Sequence, residues 1–155
     1  MTDGSRREAW PAVPAQVGQL ITRTDRYSRE AIEAFAAACN DHNPLHSDRA
    51  RAEHSRFGEV IASGEQTSSM MMGLATSHFA RPRDGVSTEV LVLHVNFAFR
   101  APVLANEDVH LRWQVTEVTW NSRQQSHVIV LAGECSTARA KPALVARASL
   151  LVKQT

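Results

Sequence analysis

The sequence predicts an α+β fold in which an antiparallel sheet curls around one long helix. A stretch that begins at Gly64 and ends before Pro82 is apolar on several sides, and the second half of the chain alternates in the manner of strands. A helix with apolar residues on several sides is usually buried on several sides, and a sheet of antiparallel strands can cover it. The length of 155 residues suits one such core. We therefore expect a single domain over residues 15–155, after a flexible tail over residues 1–14.

Helical spacing dominates the first half after one short strand, which we predict over residues 17–22. Ser28 is a plausible N-cap, and the helix that it starts must end before Pro44 because proline disfavours helical geometry in the residue preceding it. A second short helix is predicted from Ser47 to a left-handed C-cap at Gly58. The first helix has apolar residues at the spacing of one face: Ile32, Phe35, Ala36 and Cys39.

Alternating apolar residues predict four strands in the second half. Residues 91–99 form a half-buried strand that Pro102 ends, and residues 109–120 form a second strand. The apolar positions of that second strand change parity near Thr116, which predicts a β-bulge. A turn over residues 121–124 leads to strands over residues 128–135 and 144–152, joined by a loop that contains Pro142. One helix covers only part of such a sheet, and the two edge strands each lack a neighbour. We therefore expect pairing with a second copy of the chain.

The composition argues against several classes of partner. The formal net charge is +1 and the basic residues are scattered, so nucleic acid is not expected. Residues 1–14 contain no apolar core of a signal peptide, and the longest apolar run, residues 128–132, is too short for a bilayer. Cys39 and Cys135 lie far apart in sequence and predict two buried, reduced thiols. These features favour a cytoplasmic protein without membrane contact.

The segment CNDHNPLHSD, residues 39–48, concentrates side chains capable of chemistry. His42 and His46 have the four-residue spacing of two zinc ligands on a helix. Pro44 lies between them, and a proline inside a helix removes a hydrogen bond and clashes with the preceding turn. The two imidazoles are therefore not expected to share a helical face, and we predict no metal site.

Asp41 and His46 suggest an acid/base pair across a rigid Asn-Pro turn. A carboxylate and an imidazole held together can position one water and exchange protons with it, while Asn43 fixes the loop by local hydrogen bonds. The alternative is purely structural. In that case Asp41 caps the loop, His46 satisfies a backbone carbonyl, and Ser47 starts the next helix. The residues alone leave both interpretations open.

Gly64, at the predicted start of the long helix, is a second candidate. A glycine there lets a backbone N–H approach a ligand closely, with the positive end of the helix dipole directed at it. Such an N–H can stabilise the oxygen of an ester or thioester. A plain turn glycine fits the sequence equally well.

These residues resemble a known family. The stretch DHNPLHSDRARAEHSRFGEVIASG, residues 41–64, is similar to the hydratase signature of the MaoC-like dehydratases, the (R)-specific enoyl-CoA hydratases. The signature has Asp-x-Asn-Pro-x-His, then Phe-Gly, then Ile-x-x-Gly entering the central helix. VNFAFRAPV, residues 95–103, resembles the family's strand that ends in a Pro-Val pair. The resemblance covers roughly residues 15–153.

The resemblance implies a hotdog fold, at least a homodimer, and an overhanging helical segment over residues 26–62 that carries the active site. It assigns Asp41 and His46 as the catalytic pair, Asn43 as an orienting residue, and the Gly64 amide as the donor to the thioester carbonyl. The implied reaction interconverts trans-2-enoyl and (R)-3-hydroxyacyl thioesters of CoA or acyl carrier protein by syn addition or removal of water. No metal or redox cofactor takes part.

Three positions depart from the family pattern. Asn40 replaces the glycine before the aspartate, Ser63 replaces a common histidine, and Glu65 places a charge where an apolar residue is common. We include Ser63 and Glu65 with Asn43 and Gly64 among the predicted substrate-binding residues. The departures motivate two alternatives: a hotdog thioesterase that uses Glu65, and a non-catalytic thioester-binding or partner subunit. Three arginines could contact CoA phosphates or simply be solvated: Arg81, Arg83 and Arg100.

Overall fold

The computed structural model describes residues 14–155, so the tail predicted over residues 1–14 lies outside the described residues except for its last position. The described chain forms five strands and four helices. In chain order they are β1 (Leu20–Arg26), α1 (Arg29–Ala38), α2 (Pro44–Ser47), α3 (Arg49–Glu53), α4 (Gly64–Ala80), β2 (Thr88–Phe99), β3 (Asp108–Asn121), β4 (Ser126–Ser136) and β5 (Leu144–Gln154). None of the helices in this part of the chain combines the length and the apolar character needed to cross a bilayer.

The strands form one antiparallel sheet in the order β1-β3-β4-β5-β2. Helix α4 packs against β1, β2 and β3. This is the predicted α+β arrangement, the hotdog fold, with α4 as the central helix. The segment between β1 and α4, which contains α1, α2 and α3, is the predicted helical overhang and is called the overhang below.

The core is closely packed where β3 and β4 pass under α4. Trp113 is fully buried, and its indole N–H donates to the Met71 carbonyl of α4 at 2.8 Å. Gly133 lies opposite Trp113 in the sheet, and a Cβ atom on Gly133 would stand 2.4 Å from the Trp113 ring. The indole therefore occupies the space that any side chain at Gly133 would need.

Several predicted features are confirmed. Helix α1 begins after Ser28, whose hydroxyl accepts a hydrogen bond from the Ala31 N–H, and α4 starts at Gly64 and ends before Pro82. The β3–β4 register shifts between Val115 and Glu117, which is the β-bulge expected near Thr116.

Two element bounds and one burial prediction were wrong. The first strand starts at Leu20 rather than residue 17, because Gly18 adopts a left-handed turn with φ of +89°. The helix predicted over residues 47–58 is interrupted at Asp48, whose backbone is extended. Gly58 does have a left-handed φ of +68°, but it follows the end of α3 by several residues. Cys39 is exposed, whereas Cys135 is buried as expected.

Strand β2 also differs from its prediction. Its alternation indicated a half-buried strand, but most of its residues are exposed in the single chain. Leu91 and Leu93 retain 60% and 52% of their accessible surface, and Val92, on the opposite side of the strand, retains 46%. Because β2 is the last strand of the sheet, it presents both an unpaired edge and apolar side chains to its surroundings.

Candidate active site

The C-terminus of α1 fixes the backbone of Asp41. Asn40 has a left-handed φ of +56°. Its N–H donates to the Ala37 carbonyl at 3.0 Å, and the Asp41 N–H donates to the Ala36 carbonyl at 2.8 Å. These are the two bonds of a Schellman motif, in which the left-handed position is usually glycine and sometimes asparagine. Asn40 therefore meets the conformational requirement of the position where the resembled family has glycine.

Local hydrogen bonds carry the chain from Asp41 into α2. The Asn43 N–H donates to Oδ1 of Asp41 at 2.9 Å, and the Leu45 N–H donates to Oδ1 of Asn43 at 3.1 Å. Asn43 is thus the N-cap of α2, and Pro44 occupies the first turn, where its missing N–H costs nothing. This one turn of helix brings His46 back towards Asp41.

His46 is held in one tautomer by the backbone. Its ring is buried, and Nδ1 lies 2.7 Å from the carbonyl oxygen of Ile61. A carbonyl can only accept, so Nδ1 carries the proton and Nε2 of the neutral ring carries a lone pair. Nε2 lies 3.3 Å from Nδ2 of Asn43 and 3.7 Å from Oδ2 of Asp41. The ring nitrogen that carries the lone pair therefore faces the carboxylate.

Asp41 and His46 each bond the backbone with one polar side-chain atom and direct the other polar atom towards the partner residue. Oδ1 of Asp41 and Nδ1 of His46 bind backbone groups, whereas Oδ2 and Nε2 face one another. At 3.7 Å these two atoms are too far apart for a direct hydrogen bond, but one water can contact both. Asp41 retains a third of its side-chain surface, so solvent reaches the pair. The structure thus contains the backbone contacts of the structural interpretation and leaves the two atoms that an acid/base pair would use facing each other.

An ion pair links the start of the overhang to its end. The guanidinium of Arg29, at the start of α1, donates two hydrogen bonds to Glu59, with nitrogen–oxygen distances of 2.8 and 2.5 Å. The Val60 N–H donates to the same carboxylate at 2.7 Å. The hydrogen bond from Arg29 is the main cause that lowers the pKa of Glu59 below its ordinary value.

The first turn of α4 provides a free backbone donor. Ser63 is the N-cap: its hydroxyl accepts from the Gln66 N–H at 3.2 Å, and its carbonyl accepts from the Thr67 N–H at 3.4 Å. The N–H of Gly64 has no acceptor among the described residues. It lies at the positive end of a seventeen-residue helix, a position that favours an anionic oxygen.

A cavity of about 380 Å³ opens beside this turn. Ser63, Gly64 and Glu65 line it, as does the ring of Phe99 at the end of β2. A Cβ atom at Gly64 would stand 2.8 Å from that ring, so the glycine makes room for Phe99. Sequence reasoning offered ligand approach or a plain turn as the reason for this glycine and did not anticipate the aromatic neighbour.

The predicted site residues fall into two adjacent clusters. Asp41, Asn43 and His46 form the first, and they do not line the cavity that Ser63, Gly64 and Glu65 share in the single chain. Residues 61–64 join the clusters, because the Ile61 carbonyl that orients His46 lies just before Gly64 in sequence. The Ile-x-x-Gly spacing marked this position, but no sequence signal indicated that the Ile61 carbonyl would set the tautomer.

The remaining candidates are His42 and three arginines. His42 is exposed, and no group of three or more metal-binding side chains occurs within residues 14–155. Arg100 lines the cavity beside Gly64, together with Arg56, which sequence reasoning missed. Arg81 and Arg83 line a separate depression near the C-terminal end of α4.

Comparison with known proteins identifies the family. Residues 13–138 match the model of the MaoC like domain. The chain is 31% identical over 101 residues to the (R)-specific enoyl-CoA hydratase of Aeromonas caviae, covering 65% of this chain and 71% of the relative. It is 31% identical over 94 residues to the mitochondrial 3-hydroxyacyl-[acyl-carrier-protein] dehydratase of Arabidopsis thaliana, covering 61% and 52% respectively.

Among solved structures, the (R)-hydratase from A. caviae involved in PHA biosynthesis superimposes with a TM-score of 0.74 and 26% identity, covering 88% of this chain and 96% of that one. The family model, the relatives and the fold agree with the residue pattern around Asp41 and His46. The chain belongs to the family of MaoC-like domains.

Proposed function

We propose that this protein is a hydratase/dehydratase that interconverts trans-2-enoyl thioesters and (R)-3-hydroxyacyl thioesters of CoA or acyl carrier protein. Membership of the MaoC-like family and the names of the two relatives support the reaction class. The observation that carries the proposal is the orientation of His46. Its Nδ1–H is committed to the Ile61 carbonyl, so its Nε2 lone pair faces Oδ2 of Asp41 at 3.7 Å.

In the proposed hydration, one water replaces the 3.3 Å contact of Asn43 Nδ2 with Nε2 of His46, and it donates its two hydrogens to Oδ2 of Asp41 and to Nε2. Asp41 removes one proton as the water oxygen bonds to C3 of the enoyl group, and the π electrons move towards the thioester carbonyl as an enolate. The protonated Asp41 then returns that proton to C2 on the same face. Water adds as a whole, both groups arrive from one side, and dehydration is the reverse.

The Gly64 N–H serves the thioester oxygen in this proposal. It has no acceptor within the described residues, and its hydrogen bond strengthens as negative charge develops on the enolate oxygen. The reaction transfers no electrons, and the residues named supply the proton transfers and the charge stabilisation. The proposal therefore includes no metal or redox cofactor.

We further propose that the active form is a homodimer or a larger homo-oligomer. The apolar edge strand β2 ends at Phe99, whose ring contacts Gly64 and retains 55% of its surface. A second copy paired along β2 would cover Leu91, Val92 and Leu93 and enclose the Phe99 side of the cavity. Such enclosure offers a way to unite two clusters that remain separate in the single chain.

Turnover of crotonyl-CoA and crotonyl-acyl carrier protein tests the reaction class. Loss of the conjugated enoyl absorbance, with (R)-3-hydroxybutyryl thioester as the product on chiral analysis, is the expected result. Asp48→Ala is a matched control, because Asp48 caps α3 in the same overhang but lies outside the proposed pair. Its activity per folded molecule should remain near wild type. Absence of hydration or dehydration across short and medium enoyl thioesters would contradict the proposal.

The second candidate is a thioesterase, and the position of Glu65 favours it. Glu65 is exposed to the same cavity as the Gly64 N–H, where a carboxylate could attack a thioester or activate water. This function requires release of free thiol from acyl-CoA that Glu65→Gln abolishes and Asp41→Asn leaves intact. The opposite pattern, thiol release that is absent or independent of Glu65, removes this candidate.

A non-catalytic thioester-binding or partner subunit would keep the fold without turnover. Thermal stabilisation by enoyl thioesters with no chemical change across the panel would identify it. The preserved contacts of Asp41, Asn43 and His46 favour the catalytic proposal instead.

A further inference from the structure

We infer that Glu107 is a positioning residue that holds His46 in one tautomer through two paired backbone segments. The inference rests on the proposed function for the role of His46, and it adds a residue that lies outside both clusters of the candidate active site. Glu107 directly precedes β3, in the loop that follows β2. Sequence reasoning did not single it out.

Residues 60–62 form the first of the two segments, and residues 103–105 form the second. Ile61 and Leu104 face each other as an antiparallel pair. Two backbone hydrogen bonds of 2.8 Å join the segments on either side of this pair: the Ala62 N–H to the Val103 carbonyl and the Ala105 N–H to the Val60 carbonyl. With this pattern, the backbone groups of the two middle residues point away from the partner segment. Ile61 and Leu104 therefore need hydrogen-bond partners on the outer sides.

On the outer side of the first segment, α2 binds both backbone groups of Ile61. The Ile61 N–H donates to the Leu45 carbonyl at 3.2 Å, and the Ile61 carbonyl accepts from Nδ1 of His46 at 2.7 Å. The direction of this carbonyl decides which ring nitrogen carries the proton and which keeps the lone pair. The position of the first segment therefore controls the tautomer and the orientation of the imidazole.

On the outer side of the second segment, Glu107 binds the backbone of Leu104. The Leu104 N–H donates to Oε1 of Glu107 at 2.7 Å, a short hydrogen bond to a carboxylate. A continuous series of contacts therefore runs from the His46 ring through both segments to Glu107.

Glu107 keeps its carboxylate in a place where burial opposes it. The side chain is 14% exposed, and Oε2 is buried without a hydrogen-bond partner among the described residues. A buried polar atom without a partner destabilises a fold. Arg139 approaches Oε2 at 3.7 Å, but its side chain is 68% exposed, so water weakens the attraction. The contact of Oε1 with the Leu104 N–H must outweigh this cost, as expected of a residue that supports an active site from behind.

The test compares Glu107→Gln with Glu107→Met. Both variants replace the carboxylate by a neutral side chain of the same length, but only glutamine keeps an oxygen that can accept from the Leu104 N–H. Glu107→Met should lower kcat for crotonyl-CoA hydration by about 10- to 100-fold with little change in KM, because His46 is displaced from the water that it orients. Glu107→Gln should stay near wild type.

NMR of the ring nitrogens of His46, in protein that contains isotope-labelled histidine, reports the tautomer without any turnover. The His46→Asn protein identifies these signals, because they are the ones it lacks. Wild type and Glu107→Gln should show one tautomer with the proton on Nδ1, whereas Glu107→Met should show a mixture of both tautomers. If the protein hydrates no thioester, this measurement still decides the inference while the proposed function fails.

Two controls separate positioning from other effects. Gly133→Ala disturbs the packing around Trp113 and controls for a loss of stability alone. Arg139→Gln removes only the guanidinium near Oε2 and controls for charge. Both should keep the wild-type tautomer. A wild-type tautomer in Glu107→Met, or equal losses in Glu107→Met and Glu107→Gln, would overturn the inference. If Glu107→Met does not fold, Glu107→Ala takes its place and must give the same pattern.

Discussion

The overhang and the region around Trp113 are stabilised in opposite ways. Under α4, Trp113 and Met71 are fully buried, and their side chains leave no room for a Cβ atom at Gly133. The overhang instead depends on side chains that satisfy backbone groups, such as the Asp41 carboxylate and the Asn43 amide. Side-chain packing stabilises the region around Trp113, whereas side-chain hydrogen bonds to the backbone stabilise the overhang.

This difference separates stability from chemistry. In the overhang, Asp41 and His46 each use one polar atom for the fold and leave another for the site, so an isosteric change can remove the second and keep the first. Around Trp113, the indole N–H is already bonded to the Met71 carbonyl, and the neighbouring contacts are apolar. We therefore expect overhang variants to lose activity while folded, and core variants to lose stability while active.

The largest expected effect comes from two substitutions at His46. His46→Asn places an amide N–H near Nδ1 and can keep the hydrogen bond to the Ile61 carbonyl, whereas His46→Gln places its amide near Nε2 and loses it. Both should lower kcat by about 10²- to 10⁴-fold, because the proton transfer by Asp41 depends on the water that the imidazole lone pair orients. Only His46→Gln should also lose about 1–3 kcal/mol of stability, because a buried carbonyl is left unpaired.

Enoyl hydration rates and chemical denaturation of both variants measure the two effects. Wild-type rates in either variant would remove His46 from the site. Equal stability of the two variants would show that the Ile61 hydrogen bond does not hold the overhang.

Gly133→Ala provides the contrast in the core. The new methyl group would lie 2.4 Å from the buried Trp113 ring and 2.9 Å from the Met71 methyl group, and the packed core must shift. Overpacking of this kind costs about 1–3 kcal/mol. Denaturant unfolding should report that loss, while kcat per folded molecule stays near wild type. A large fall in kcat without a fall in stability would break the division between the two regions.

Substitutions at Asn40 should have a smaller effect on the stability of the fold. Asn40→Ala forces a residue with a Cβ into the left-handed region at a cost of about 1–2 kcal/mol, since alanine lacks the local hydrogen bonding of asparagine. Asn40→Gly satisfies the same backbone without strain and should match or slightly exceed wild-type stability. Thermal unfolding of the two variants checks this order. The reverse order would show that the side chain of Asn40, rather than its backbone, holds the Schellman motif.

The smallest expected effect is a pH dependence from Glu59. The pKa of Glu59 is lowered in the folded protein, so its contribution to stability is present above the unfolded value of 4.5 and is lost as the pH falls through the folded value. Wild type should therefore be more stable than Glu59→Gln at pH 7, and the difference should shrink below pH 4.5. Thermal unfolding of both proteins at each pH measures it. A difference that is independent of pH would exclude the Arg29–Glu59 ion pair as its cause.

The two regions also differed in how far the sequence predicted them. Apolar residues on several sides of a stretch bounded by Gly64 and Pro82 located α4, and the change of parity in the apolar alternation located the bulge near Thr116. Apolar periodicity misjudged β2, because the same alternation describes a strand covered by its own chain and a strand left at an exposed edge. Periodicity records which residues are apolar and does not reveal what covers them.

In the overhang, the motif predicted which residues meet but not how. Asp41, Asn43 and His46 do cluster, as the spacing indicated. The interruption at Asp48 was missed because a single extended residue between two short helices leaves no periodic signal. The contact between Gly64 and Phe99 joins residues far apart in sequence, and no local pattern encodes it.

The most direct test of the account is the turnover number of Asp41→Asn together with its melting temperature. The asparagine oxygen can still accept the hydrogen bond from the Asn43 N–H, so the loop should keep its conformation while the base is lost. We predict a fall in kcat for crotonyl-CoA hydration of about 10²- to 10⁴-fold with nearly unchanged melting temperature. An Asp41→Asn variant that hydrates as fast as wild type would contradict the assignment of the overhang as the source of the chemistry.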